Sequence, residues 1–144
     1  MLKEFPLNRV FTLIEPGPVL LVATALNEKW NVMTISWSMA MDFSPKFAIL
    51  TGEWNRSFEA LMTTKQCVVA VPGADLMEAS VRIGACSGTD VDKFHEFKLT
   101  PMKAKRVCAP LIGECLYDIE CVVADWIPKH GIVVLEGVQA WENP

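Results

Sequence analysis

Short apolar runs separated by turn-forming residues recur along this chain and constrain its fold more than any other feature. Residues 19–26 form one such run, which follows a Pro-Gly-Pro turn and is typical of a buried strand. Residues 27–29 have turn chemistry, and residues 32–38 have the composition of a second strand. We therefore expect a β-hairpin over this part of the chain.

Two further strands are predicted at residues 46–51 and 67–71, and the second of them is rich in β-branched side chains. A helix between these strands is predicted at residues 57–64. Asn55 is in position to cap this helix, and Glu59 falls in its first turn, where the positive end of the helix dipole favours a carboxylate.

Two more helices are predicted in the middle of the chain. Asp75 and Glu78 have the spacing of a capping box, which would open a helix that ends near Gly84. Asp90 is in position to cap a short third helix.

The last part of the chain predicts two long strands, at residues 116–126 and 132–140, joined by a turn at residues 129–131. Alternation along the first of them places one set of side chains on one face (Tyr117, Ile119, Cys121, Val123) and two carboxylates on the other (Asp118, Glu120). Strands outnumber helices, and most connections are short. The pattern therefore predicts a mainly β fold, a small β-barrel with peripheral helices, as one domain over residues 1–144.

Composition excludes several classes of function. The formal net charge is −4 and basic residues never form a run, which argues against a nucleic-acid partner. The apolar run at residues 19–23 is far shorter than the roughly 20 residues that a spanning helix needs, so we expect no membrane segment and a cytoplasmic location. Five tryptophans and a hydrophobic content of 51% make a subunit interface plausible.

The cysteines predict packing rather than chemistry. Their number is five, which is odd, and no CxxC pair occurs, which argues against a disulfide framework and a structural zinc site. A nucleophilic pair of a cysteine with a histidine has no supporting spacing, and we expect no metal site.

The start of the predicted helix at residues 57–64 has the chemistry of a phosphate site. Arg56 offers a guanidinium and Ser57 a hydroxyl, beside the free N–H groups of a helix N-terminus. The alternative is a plain helix start with a solvated arginine.

A second candidate for anion binding is the segment at residues 82–94, which combines a helix end, the Ser87-Gly88 turn and Lys93. Glycine allows close approach of the backbone to a ligand, and an ammonium supplies a point charge to a phosphate. The alternative is a surface loop followed by a capped helix.

The predicted strand at residues 32–38 alternates apolar and small polar side chains. Met33 and Trp37 share one face with Ile35, whereas Thr34 and Ser36 lie on the other. Such a strand offers an apolar surface and hydroxyl groups to a flat ligand such as a flavin. The alternative is an ordinary strand of the barrel.

In combination, these segments resemble the flavin reductase-like family of FMN-binding split barrels, which includes flavoredoxins and NAD(P)H:flavin oxidoreductases. The resemblance covers residues 19–140, and its most specific part is the G-x-x-S-G-x-x-x-D-K-F pattern at residues 84–94. It implies that one strand lines the flavin ring (Asn31, Met33, Thr34, Ser36, Trp37). It also implies that two other segments hold the phosphate (Arg56, Ser57, Ser87, Gly88, Lys93). Relatives carry a histidine before the last long strand, which His130 matches and which makes it the candidate catalytic residue.

The resemblance implies an FMN-binding split β-barrel, with FMN preferred over FAD, that forms a homodimer and transfers hydride from NADH or NADPH to the flavin. The alternatives are a flavin-binding electron-transfer protein without its own NAD(P)H site, and a barrel that has lost flavin and serves as a binding or structural protein. Relatives usually continue beyond the last strand, so we expect a chain that is short at its C-terminus.

Overall fold

The computed structural model describes all 144 residues. The strands are β1 (Lys3–Glu4), β2 (Leu20–Leu26), β3 (Lys29–Ile35), β4 (Ser38–Ala40), β5 (Lys46–Leu50), β6 (Gln66–Val71), β7 (Pro101–Met102), β8 (Leu111–Ile112), β9 (Tyr117–Ile127) and β10 (Ile132–Glu142). The helices are α1 (Phe11–Ile14), α2 (Ser57–Thr64), α3 (Met77–Gly84) and α4 (Lys93–Glu96), with 3-10 turns at Leu7–Arg9 and Ala74–Leu76. None of these helices has the length and apolar composition needed to cross a membrane.

The main sheet is antiparallel and curls into a split barrel. Its strand order is β3-β2-β6-β9-β10-β5-β4, and β1 pairs with β10 beside this path. β3 and β4 lie at opposite ends of that order, yet β3 ends at Ile35 and β4 begins at Ser38. Three residue steps span at most roughly 10 Å, so the sheet has to bend back until its two edges nearly meet. The predicted fold class, a mainly β barrel with peripheral helices, is confirmed.

The β2–β3 hairpin is tight because two residues adopt the left-handed conformation. Leu26 pairs with Lys29, and the intervening Asn27 and Glu28 have φ angles of 51° and 63°. Two positive φ values in a two-residue loop are the signature of a turn whose twist matches the twist of the strands. The hairpin predicted from the sequence is therefore confirmed.

The sheet is buried on both faces near β2. Leu20 and Val22 pack into the core inside the barrel, whereas Leu21 and Ala23 pack into a second core on the outer face. The second core also contains Ile83 of α3 and side chains from the segment that follows α4. Burial on both sides explains why β2 reads as a continuous apolar run rather than as an alternating one.

Local predictions at helix starts need correction. Helix α2 spans Ser57–Thr64 as predicted, but it has no side-chain cap. The Asn55 amide Nδ2 instead donates to Thr51 Oγ1 at 3.1 Å. Helix α4 is capped by Asp92, which accepts a hydrogen bond from the His95 N–H, and not by Asp90.

Two further boundaries differ from the predicted ones. Helix α3 begins at Met77 without a side-chain cap, because Asp75 belongs to the preceding 3-10 turn, but it ends at Gly84 as expected. β3 ends at Ile35 rather than at Ser38, because the chain turns there into β4.

Asp118 and Glu120 lie on the predicted second face of β9, and both side chains are fully buried. Glu120 accepts hydrogen bonds from the Lys105 N–H at 2.9 Å, from the Arg106 N–H and from the Trp141 indole. The chain segment between α4 and β9 covers this face, and its main-chain donors compensate the burial of the carboxylate.

Candidate functional site

A cavity of about 870 Å³ opens beside the tip of the β2–β3 hairpin. Its walls come from this hairpin, from the first turn of α2, from the loop at residues 88–92 and from the region of α4. The first turn of α2 and the loop before α4 are the two segments predicted to hold an anion.

The polar end of the cavity joins three of the predicted site residues. The Asn31 amide Nδ2 on β3 donates a hydrogen bond to Ser57 Oγ at the start of α2, at 2.9 Å. Gly88 packs so closely on this amide that a Cβ at position 88 would lie 2.3 Å from Asn31 Oδ1. The close approach explains why the position is occupied by glycine.

Ser57 keeps a hydrogen-bond donor for a ligand. Its oxygen accepts a hydrogen bond from the Asn31 amide, and its own hydroxyl proton has no protein acceptor. Because the residue is buried and lies in the first turn of α2, a ligand oxygen at this point would also face the positive end of the helix dipole.

Arg56 lines the same end of the cavity and is held by a local ion pair. Its guanidinium lies 3.1 Å from Glu59 Oε2, and both side chains are more than half exposed. An exposed pair of this kind contributes little to stability, so the guanidinium is able to exchange its carboxylate for a ligand anion.

The rim of the cavity is more acidic than basic. Four carboxylates line it (Glu28, Glu59, Asp90, Asp92), against two permanent cations (Lys29, Arg56). On this wall, the point where Arg56, Ser57 and the α2 N-terminus meet is the most favourable place for an anion.

An aromatic pair forms the apolar wall. Trp30 and Phe94 meet edge to face with ring centroids 6.2 Å apart, and Trp30 is 51% exposed. An indole that is half covered at a cavity wall presents a surface on which a flat or apolar part of a ligand can pack.

Lys93 is buried and is hydrogen-bonded within the protein. Its side chain is only 5% exposed, and Nζ donates to the main-chain oxygens of Val32 at 3.0 Å and Ile83 at 2.9 Å. Burial lowers the pKa of this ammonium, while the nearby Cys86 thiol raises it. The arrangement ties α4 to β3 and α3, and Lys93 is not among the residues that line the cavity. Its contact with a phosphate stays a prediction.

The predicted ring-lining residues of β3 fall into two sets. Met33 is buried in the inner core and accepts a weak hydrogen bond from Thr51, whereas Thr34 Oγ1 donates to the Ser80 main-chain oxygen on α3 at 2.6 Å. Ser36 and Trp37 follow the end of β3, and Trp37 is 67% exposed.

Two other predicted residues lie outside the cavity wall. The Ser87 hydroxyl accepts a hydrogen bond from the Thr89 N–H and so shapes the loop of Gly88. His130 is exposed in the β9–β10 turn, where the Gly131 main-chain oxygen accepts from the Thr51 N–H. That contact places the turn against the segment that precedes α2.

Sequence reasoning missed Thr24 and His95, which line the cavity. Thr24 lies inside an apolar run, and only its pairing with Asn31 in the hairpin register reveals its position. His95 follows Phe94 in the short helix α4, which forms one wall.

The chain matches the family model described as flavin reductase like domain over residues 14–144. It is 33% identical over 97 residues to an uncharacterized protein of Archaeoglobus fulgidus, covering 67% of this chain and 55% of that protein. It is 26% identical over 119 residues to the Escherichia coli protein YddH, covering 80% of this chain and 63% of that protein. The chain thus spans less than two thirds of the length of these curated relatives.

Solved structures share the fold. An FMN-binding domain of a flavin reductases-like enzyme from Shewanella baltica superposes with a TM-score of 0.91 at 21% identity, over 99% of this chain and 77% of that chain. The flavoredoxin of Desulfovibrio vulgaris superposes with a TM-score of 0.82 at 22% identity, over 88% of this chain and 70% of that chain. With the family model matched over nearly the whole sequence, this chain belongs to the flavin reductase-like domain family.

Proposed function

We propose that the protein is an FMN-binding oxidoreductase that takes hydride from NADH or NADPH and passes the electrons onward. One observation carries the proposal. Three segments far apart in the sequence bring Asn31, Ser57 and Gly88 together at the polar end of one cavity, beside Arg56. The names of the matched structures, an FMN-binding domain and a flavoredoxin, support the same cofactor.

The residues at this end fit a phosphate monoester. Such a group carries only acceptor oxygens, and Ser57 has a free hydroxyl proton while Arg56 has N–H groups beyond the one that faces Glu59. Lys93 would act on this site indirectly, because it fixes the strand that carries Asn31.

The flavin ring would rest against the exit of β3. Ser36 and Trp37 are exposed there, next to the short edge strand β4, and they offer a hydroxyl and a broad apolar surface. The bound flavin would supply the redox chemistry by accepting a hydride and releasing electrons. The chain would bind the phosphate, hold the ring in one orientation and cover it from water, and no side chain has to serve as acid or base.

A second copy of the chain would complete this site. Exposed apolar side chains surround the free edge of β4 and the adjacent loops (Trp37, Met39, Met41, Phe43, Trp54). An unpaired edge strand flanked by so many apolar groups favours association with another copy. His130 remains a candidate for contact with the flavin in such a dimer, since its turn packs beside the segment at residues 51–54.

Steady-state oxidation of NADH and NADPH in the presence of added FMN tests the proposal. We expect turnover with at least one of the two nucleotides and a purified protein that binds FMN. A protein that binds FMN but turns over neither nucleotide would instead be an electron carrier reduced by a partner protein. A protein that does not retain FMN would refute both functions.

A further inference from the structure

Thr24 is a buried threonine whose hydroxyl has no partner in the protein. Its side chain is fully buried, and Oγ1 makes no hydrogen bond. Burying a hydroxyl without a partner costs free energy, so each such group in a folded protein calls for a cause.

Thr24 lies on a face of β2 that is otherwise apolar. Leu20 and Val22 precede it on the same face of β2, inside the barrel. Valine has nearly the same shape as threonine and would fill this place without an unpartnered oxygen. Packing alone therefore does not account for a hydroxyl here.

The neighbours of Thr24 indicate what the hydroxyl is for. Thr24 pairs with Asn31 directly across the hairpin, and Asn31 donates to Ser57 Oγ. Four buried side chains have a polar atom without a partner, and Thr24 is the one that lines the cavity. The other three lie elsewhere (Ser38, Ser80, Asp118). The Thr24 side chain is thus a buried part of the cavity wall, beside the Asn31–Ser57 contact.

We propose that the Thr24 hydroxyl is a further ligand-binding group that donates a hydrogen bond to a phosphate oxygen of the bound flavin nucleotide, together with Ser57. This inference rests on the proposed function for its ligand. A phosphate is the fitting occupant because both hydroxyls have protons to donate and an ionised phosphate has only acceptors to offer. The carboxylates that line the cavity disfavour an anion elsewhere on its wall.

Equilibrium titrations with FMN and with riboflavin, which lacks the phosphate, test the role of Thr24. Thr24→Val removes the donor and keeps the shape. We expect it to weaken FMN binding by about 10- to 100-fold, the range for a hydrogen bond to a charged group, and to leave riboflavin binding unchanged. Thr24→Ser keeps the hydroxyl and should bind FMN nearly as the parent protein does.

A matched control and a stability measurement separate binding from folding. Ser80→Ala removes another buried hydroxyl without a partner, one on α3 that does not line the cavity, and should leave the affinities for both flavins unchanged. Thermal unfolding of ligand-free Thr24→Val should occur no lower than that of the parent, because no protein hydrogen bond is lost. If Thr24→Val does not fold, Thr24→Ala is titrated in its place.

Unchanged FMN affinity in Thr24→Val, or an equal loss for FMN and riboflavin, would overturn this role of Thr24 while the proposed function stands. A parent protein that binds no FMN at all would refute the proposed function first, and the Thr24 proposal with it.

Discussion

Asp118 is the ionisable side chain whose burial has the clearest energetic consequence. It is fully buried, its Oδ1 accepts from the Ile112 N–H at 2.9 Å, and its Oδ2 has no partner. Burial raises the pKa of this carboxyl to about 7, and Glu120 and Glu114 add to the effect, although the bond from Ile112 opposes it. The folded protein therefore keeps a proton that the unfolded chain releases near its ordinary pKa of 3.8.

This difference predicts a loss of stability as the pH rises from about 4 to about 7. The proton on Asp118 favours the folded state fully below the unfolded pKa, and this contribution disappears as the pH passes through the folded pKa. The slope from this group is at most ~1.4 kcal/mol per pH unit. Asp118→Asn should flatten the curve of unfolding free energy against pH in denaturant titrations. Asp125→Asn, at an exposed position on the same strand, should leave the slope as it is, and an unchanged slope in Asp118→Asn would contradict the assignment.

Gly88 predicts a local effect on the site. Gly88→Ala places a methyl group 2.3 Å from Asn31 Oδ1, so the amide has to move and its hydrogen bond to Ser57 is disturbed. We expect FMN affinity to fall by about ten-fold in fluorescence titrations, the effect of about one hydrogen bond. Affinity equal to that of the parent would show that the Asn31–Ser57 contact does not shape the site.

Some residues of the site could be predicted from the sequence, and the contacts of others could not. Arg56, Ser57 and Gly88 were predicted as site residues from local chemistry, and the structure places them on one cavity. The contacts of Lys93 could not be predicted, because its acceptors belong to β3 and α3, and no local pattern encodes such distant pairing. The roles of all four residues in flavin binding remain predictions.

At the scale of elements, the first turn of α2 is the part of the molecule that most affects anion binding. Glu59 occupies one N–H group of Arg56 at 3.1 Å. A ligand phosphate has to compete with this carboxylate for the guanidinium, so the ion pair moderates affinity.

Glu59→Gln should therefore strengthen FMN binding. The expected gain is about 1.5- to 5-fold, because an exposed ion pair is worth about 0.2–1 kcal/mol, and isothermal titration calorimetry would measure it. Glu53→Gln removes the same charge from an exposed position in the loop before α2 and serves as the control. Equal or weaker binding in Glu59→Gln would mean that Arg56 does not contact the ligand anion.

Elements with strong local signals were predicted well. The β2–β3 hairpin follows from turn residues between two apolar runs, and α2 was placed at its observed bounds. The start of α3 and the strand β4 were not predicted, because the first lacks a side-chain cap and the second exists through pairing with β5.

At the scale of the whole molecule, the exposed apolar groups are concentrated near the split of the barrel. Trp37 and Met39 are 67% and 55% exposed beside the free edge of β4. A separate exposed pair, Met77 and Val81, lies on α3. We expect the first group, and not the second, to form the contact between two copies.

Met39→Glu should shift the proposed dimer to monomer in analytical ultracentrifugation, because a buried charge without a partner opposes association. Met77→Glu adds the same charge at a site that is 70% exposed and should leave the dimer intact. If Met77→Glu dissociates the dimer and Met39→Glu does not, the interface lies on α3 and not at the edge of β4.

The split barrel was predicted from strand count and family resemblance, but the strands that form its two edges were not. Only the register shows that β3 and β4 are both edges and near neighbours. Non-local pairing of this kind has no short-range sequence signature. The segments that line the cavity could therefore be predicted, but their arrangement around it could not.

The most direct measurement is the ratio of the affinities of the parent protein for FMN and for riboflavin, obtained by flavin fluorescence quenching at fixed ionic strength. The two ligands differ only in the phosphate, so their ratio isolates the anion site at Asn31, Arg56, Ser57 and Gly88. We predict that FMN binds at least about ten-fold more tightly than riboflavin, because charge-assisted hydrogen bonds to the phosphate are strong. Equal affinity for the two flavins, or no binding of FMN, would contradict a phosphate site in this cavity.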